Sequence, residues 1–64
     1  MSKVQRGGYV FLAWKRDHSP RHVHVFRNGA LVLKWDLENG RPMYGAPAPK
    51  VLRLIRDLES EGLL

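Results

Sequence analysis

His22-Val23-His24-Val25-Phe26-Arg27-Asn28-Gly29-Ala30-Leu31-Val32-Leu33-Lys34-Trp35-Asp36-Leu37 is the stretch that decides how this chain folds. Both halves alternate, and Asn28-Gly29 between them is a strong hairpin signal because both residue types tolerate positive φ. Residues 22–27 and 30–37 are therefore predicted as antiparallel strands. His22, His24 and Phe26 share one face of the first, because successive side chains on a strand point to opposite sides. Leu31, Leu33, Trp35 and Leu37 share one face of the second. The hairpin register sets which faces coincide. A two-residue loop places His24 opposite Leu33 and His22 opposite Trp35, with the imidazoles inside. A three-residue loop, Arg27-Asn28-Gly29 with Gly29 as a bulge, pairs Val23 with Leu33 and Val25 with Leu31. The histidines then join Val32 and Lys34 on the outer face. The second register is expected, since it gathers the aliphatic residues on one side, and a slip of one residue inverts every side chain.

Upstream, Tyr9-Val10-Phe11-Leu12-Ala13-Trp14-Lys15-Arg16 reads as a strand over 9–16, and residues 1–6 read as a polar leader ended by Gly7-Gly8. Asp17-His18-Ser19-Pro20 is turn chemistry, since Pro20 lacks an N–H and disfavours helix at Ser19. Downstream, Asn39-Gly40 marks a turn, and 41–44 fits an edge strand because Pro42 cannot donate to a central ladder. The tail changes period. Val51, Leu54, Ile55 and Leu58 follow i, i+3, i+4, i+7, which predicts one amphipathic helix over about 49–61. Pro49 suits its first turn and Gly62 its C-terminal cap. The expected fold is a single α+β domain over 1–64. Its antiparallel sheet has three strands, or four if 41–44 pairs, and the C-terminal helix packs on one face. The expected core is Val10, Leu12, Trp14, Val23, Val25, Leu31, Leu33, Trp35, Val51, Leu54, Ile55 and Leu58.

At 64 residues the chain has room for one modest core, because a domain this short buries only about 60% of its extended surface. It has no cysteine, which excludes disulfides and thiolate zinc sites and gives no sign of an oxidising compartment. No segment reaches the roughly 20 apolar residues of a membrane span, and residues 1–6 lack the apolar stretch of a signal peptide. A cytoplasmic protein is expected. Eleven Lys and Arg against six Asp and Glu leave a net charge of +5, which draws polyanions by long-range attraction. RNA is the partner expected. A cognate small protein or a second copy of the chain stays open, and no membrane partner is expected.

In the favoured register the outer face carries Tyr9, Phe11, Lys15, His22, His24, Phe26 and Lys34. Aromatic rings mixed with cations on an open sheet form a stacking platform for single-stranded bases. His18 and Arg21 border it on the loop. Lys50 and Arg53 stand in the first half of the helix with Arg56, while Asp57, Glu59 and Glu61 stand in the second. That order opposes the macrodipole. It suits a phosphate at the helix N-terminus, although loose surface charge accounts for it as well.

The segment His18-Ser19-Pro20-Arg21-His22-Val23-His24-Val25, after a Tyr9-to-Trp14 strand and before a glycine turn and strand, resembles a family of small bacterial proteins. That family is catalogued only as a domain of unknown function and is recognised by a His-x-Pro-x-His-x-His-Val core. The resemblance covers roughly residues 8 to 58, and this chain is shorter at its C-terminus than its relatives, which have a longer helix. It implies membership of two-gene pairs reminiscent of toxin–antitoxin loci, and it implies no catalytic role. The residues themselves admit four readings. The histidines can bond locally to backbone or carboxylate around a turn shaped by Pro20, with Asp17 fixing a ring. His22 and His24 can act as base and acid on RNA without metal or other cofactor, with Arg21, Lys15 or Arg27 stabilising the charge that develops on phosphorus. His18, His22 and His24 can instead form a three-histidine zinc site. Lastly, the cluster can bind nucleic acid or a protein partner without chemistry.

Overall fold

The computed structural model describes residues 2–14 and 20–64. Among these described residues are five strands: β1 (Ser2–Arg6), β2 (Tyr9–Ala13), β3 (His22–Arg27), β4 (Ala30–Asp36) and β5 (Arg41–Gly45). One helix, α1 (Pro49–Ser60), follows them. The strands form a single antiparallel meander in the order β1-β2-β3-β4-β5. The fold is α+β with one C-terminal helix, as the sequence predicts, but the sheet has five strands rather than three or four. The additional strand is the polar leader. Its Ser2-Lys3-Val4-Gln5-Arg6 alternates in burial, and Val4 pairs with Phe11. One apolar residue suffices to seat this strand, because the Gly7-Gly8 turn folds it directly onto β2. Both glycines have positive φ, a conformation open to glycine without steric cost.

The hairpin between β3 and β4 corrects the expected register. Its loop is the two-residue Asn28-Gly29 turn, with both residues at positive φ and Arg27 paired with Ala30. A bulge follows at once. Phe26 pairs with Leu31 and Val25 with Leu33, so Val32 is the extra residue. Beyond it, His24 pairs with Lys34, Val23 with Trp35 and His22 with Asp36. The bulge shifts the pairing by one residue in the opposite sense to a three-residue loop, so Val23 and Val25 meet Trp35 and Leu33 rather than Leu33 and Leu31, and the facing is the same. Val23 and Val25 face the helix, the imidazoles face away, and Leu31 lies on the histidine side. Val32, expected outside, packs against the core instead.

The core is Phe11, Ala13, Val23, Val25 and Leu33 from the sheet with Val51, Ile55 and Leu58 from the helix. Strand β2 is therefore turned over relative to expectation. Phe11 is fully buried, while Val10, Leu12 and Trp14 lie on the far face, with Trp14 39% exposed. Every residue of Tyr9-Val10-Phe11-Leu12-Ala13-Trp14 is apolar or aromatic, so alternation could not choose a side. The structure resolves it by volume, since the ring of Phe11 fills the centre of the layer under α1. Trp35 and Leu54 pack at the edge of this core.

The helix starts on Pro49 without a side-chain cap. It ends with Gly62 at positive φ, where Gly62 N donates to Glu59 O at 3.0 Å and Leu63 N to Leu58 O at 2.9 Å. That pair of bonds is a Schellman ending. Arg6 donates two bonds to the Glu61 carboxylate, at 2.6 and 2.9 Å, and ties β1 to the helix end.

Candidate nucleic-acid interface on the sheet face opposite the helix

On the face away from α1 the registers align Lys3 with Leu12, Gln5 with Val10, Leu12 with His24 and Val10 with Phe26. They continue with His24 to Lys34 and Lys34 to Tyr44. Directly opposed residues in an antiparallel pair share a face. A row of rings therefore crosses the middle strands. The His24 ring is its centre, with Trp14 edge-on at 5.3 Å, His22 at 5.0 Å and Phe26 stacked at 6.5 Å. These separations are those of interacting aromatic pairs. Tyr44, 56% exposed, stands beyond Lys34 at the sheet edge.

A local bond orients the His22 imidazole. His22 Nδ1 lies 3.1 Å from Pro20 O. A carbonyl can only accept, so Nδ1 carries the proton and, in the neutral ring, Nε2 carries the lone pair. Nδ1 of His24 is shielded from solvent. The backbone entering β3 is clamped to the β4–β5 turn. Leu37 N donates to Arg21 O at 2.8 Å, and Arg21 N donates to the Glu38 carboxylate.

Asp36, 2% exposed, holds that turn together. Its Oδ1 accepts from Glu38 N and Asn39 N at 2.9 Å each, and its Oδ2 accepts from Asn39 Nδ2 at 2.8 Å. Arg41 Nε stands 3.9 Å from the same carboxylate. The bond from the Asn39 side chain, with the backbone N–H bonds and Arg41 behind it, holds the Asp36 carboxyl below its ordinary range against the opposing effect of burial.

Of the residues expected at the interface, His22, His24, Phe26 and Lys34 come together on this face, and Arg21 borders it. Phe11 does not belong to it, since it is core. Tyr9 lies on the helix side, where the Arg27 guanidinium and the Lys50 ammonium stand 5.6 and 5.9 Å from its ring centre. Lys50 is therefore beside Tyr9 and away from the histidines, and Arg53 is exposed on α1. Lys15 and His18 lie outside the described residues. Sequence reasoning missed Leu12, Trp14, Tyr44 and Lys3. No local signal would have found them, since Val4 marks the inward side of β2 only once its pairing with Phe11 is known. Among the described residues no group of three or more His, Cys, Asp or Glu is placed to hold a metal ion. No helix among them is long and apolar enough to cross a membrane.

The fold and this face define a small α+β module, a five-stranded meander closed on one side by a helix and lined with rings on the other. Residues 7–61 match the family described as Domain of unknown function (DUF4160), and the chain belongs to it. No curated protein and no solved structure matches it.

Proposed function

We propose that this protein is a cytoplasmic RNA-binding module that lays a single strand across the sheet face opposite α1. The observation that carries the reading is the row Trp14–His24–His22 with Phe26, which places ring contacts of 5.0 to 6.5 Å along one open face. Lys3 and Lys34 lie on the same face by register, and the whole chain carries +5. Base stacking on such rings contributes about 1–3 kcal/mol per base, and the cations contact the phosphates. The resemblance to two-gene, toxin–antitoxin-like pairs suggests a regulatory setting with a small cognate protein.

Fluorescence anisotropy with a labelled single-stranded RNA tests this. Affinity is expected to fall steeply as salt rises, because bound phosphates release counterions. Trp14→Ala is expected to weaken binding by roughly 5- to 100-fold, the loss of one stacking contact. Absence of binding at low salt, or a Trp14→Ala protein that binds as tightly as the wild type, would remove the reading.

A further inference from the structure

We infer that the cleft between α1 and the end of β4 is the interface of a homodimer, in which Arg56 and Glu59 of two copies form reciprocal ion pairs. The cleft holds about 270 Å³ and lies on the helix side of the sheet, away from the ring-bearing face. Ile55 forms its floor, and Trp35, Leu37 and Leu52 form its walls. The three wall residues are only partly buried against the core, so each still offers apolar surface to water. The rim carries one charge of each sign, Arg56 and Glu59. Leu52, Arg56 and Glu59 stand at i, i+4 and i+7 and so share one stripe of the helix. That stripe runs beside Val51, Ile55 and Leu58, which α1 buries. Strand β5 does not close this side, since it is exposed along its whole length.

The charges decide the occupant. Asp36 holds the β4–β5 turn, Glu38 accepts from Arg21 N, and Glu61 is paired with Arg6, to whose field Asp57 adds. Glu59 is left over. Neither its carboxylate nor the Arg56 guanidinium has an ion-pair partner among the described residues. Helix stability does not account for Glu59 either, because an acid in the last turn opposes the macrodipole. One cation and one anion beside an apolar cleft form a surface complementary to itself. In a two-fold contact, residue i meets residue j of the partner and j meets i. Two antiparallel α1 helices related by an axis between Arg56 and Glu59 set Arg56 against the partner's Glu59, and Glu59 against the partner's Arg56. Trp35, Leu37 and Leu52 lose their remaining water in the same contact. Their burial supplies the affinity, and the reciprocal pairs fix the register.

Sedimentation velocity on the full chain without RNA tests this. Wild-type protein is expected to pass from monomer to dimer as its concentration rises. Arg56→Glu sets two acids against each other at both pairs of the dimer, and Glu59→Arg sets two bases against each other. Each variant alone is expected to self-associate at least about 10-fold more weakly, because like charges then face each other. Both side chains are exposed, so the circular dichroism and thermal midpoint of each variant are expected to match wild type. Mixed in equal amounts, the two variants are expected to regain the wild-type affinity as a heterodimer, since every pair is again of opposite sign. Wild-type protein still monomeric at about 0.5 mM overturns the inference and leaves the cleft to a partner of another sequence. A dimer that either variant keeps at full strength overturns it by placing the interface elsewhere. Folded variants that stay monomeric when mixed overturn the reciprocal pairing. None of these outcomes bears on RNA binding, which uses the opposite face.

Discussion

Phe11 and Trp14 stand three residues apart and serve opposite faces, so truncating each separates stability from binding. Phe11→Ala removes a ring at the centre of the core and is expected to cost about 3–5 kcal/mol, enough to unfold much of so small a domain in a denaturant titration. Trp14→Ala, at the edge of the ring row and 39% exposed, is expected to leave the denaturation midpoint nearly unchanged and to act on RNA affinity. Gly45 is constrained by backbone. Its φ is +84° and a Cβ there would collide with Val32 O. Gly45→Ala is expected to cost about 1–3 kcal/mol, visible as a lowered thermal midpoint. Asp36 carries an acid dependence. Its folded carboxyl is held below its ordinary value of 3.8, so its contribution to stability is complete above that value and is lost as pH falls through the folded one. The thermal midpoint should drop below about pH 4, and Asp36→Asn should flatten that drop while lowering the midpoint at neutral pH.

Among the elements, the helix was the most legible. Val51, Ile55 and Leu58 are its buried residues, and Pro49 and Gly62 bracket it, because period and caps are local properties. The meander was less so. Strand β1 offers only Val4 as an apolar residue, and its pairing comes from the Gly7-Gly8 turn rather than from pattern. Strand β2 is apolar on both faces, so its side was chosen by packing under the helix. The hairpin was half legible. Asn28-Gly29 gave the turn, but the shift that turns His22 and His24 outward comes from Val32, and no composition rule places a bulge there. Deleting Val32 should therefore remove the bulge while leaving Leu33 opposite Val25 and Lys34 opposite His24, and lower the thermal midpoint only through the lost packing of Val32 against the core.

For the whole molecule, the layer arrangement puts the helix on one side of the sheet and the ring-bearing face, the proposed RNA surface, on the other. The candidate site was legible as His22, His24, Phe26 and Lys34 on one face, but its neighbours Trp14 and Tyr44 were not, since they come from strands whose orientation only the assembled sheet decides. The strand order β1-β2-β3-β4-β5 has a further consequence, and it concerns time rather than shape. Every strand pairs only with its sequence neighbours, so the loops closed during assembly are short and their entropic barriers small. Refolding followed by Trp fluorescence in stopped flow should be fast for a sheet protein, in the millisecond range or below. During synthesis the hairpins can zip in turn from β1 to β5, and the ring-bearing face is then built before the helix emerges to close the other side.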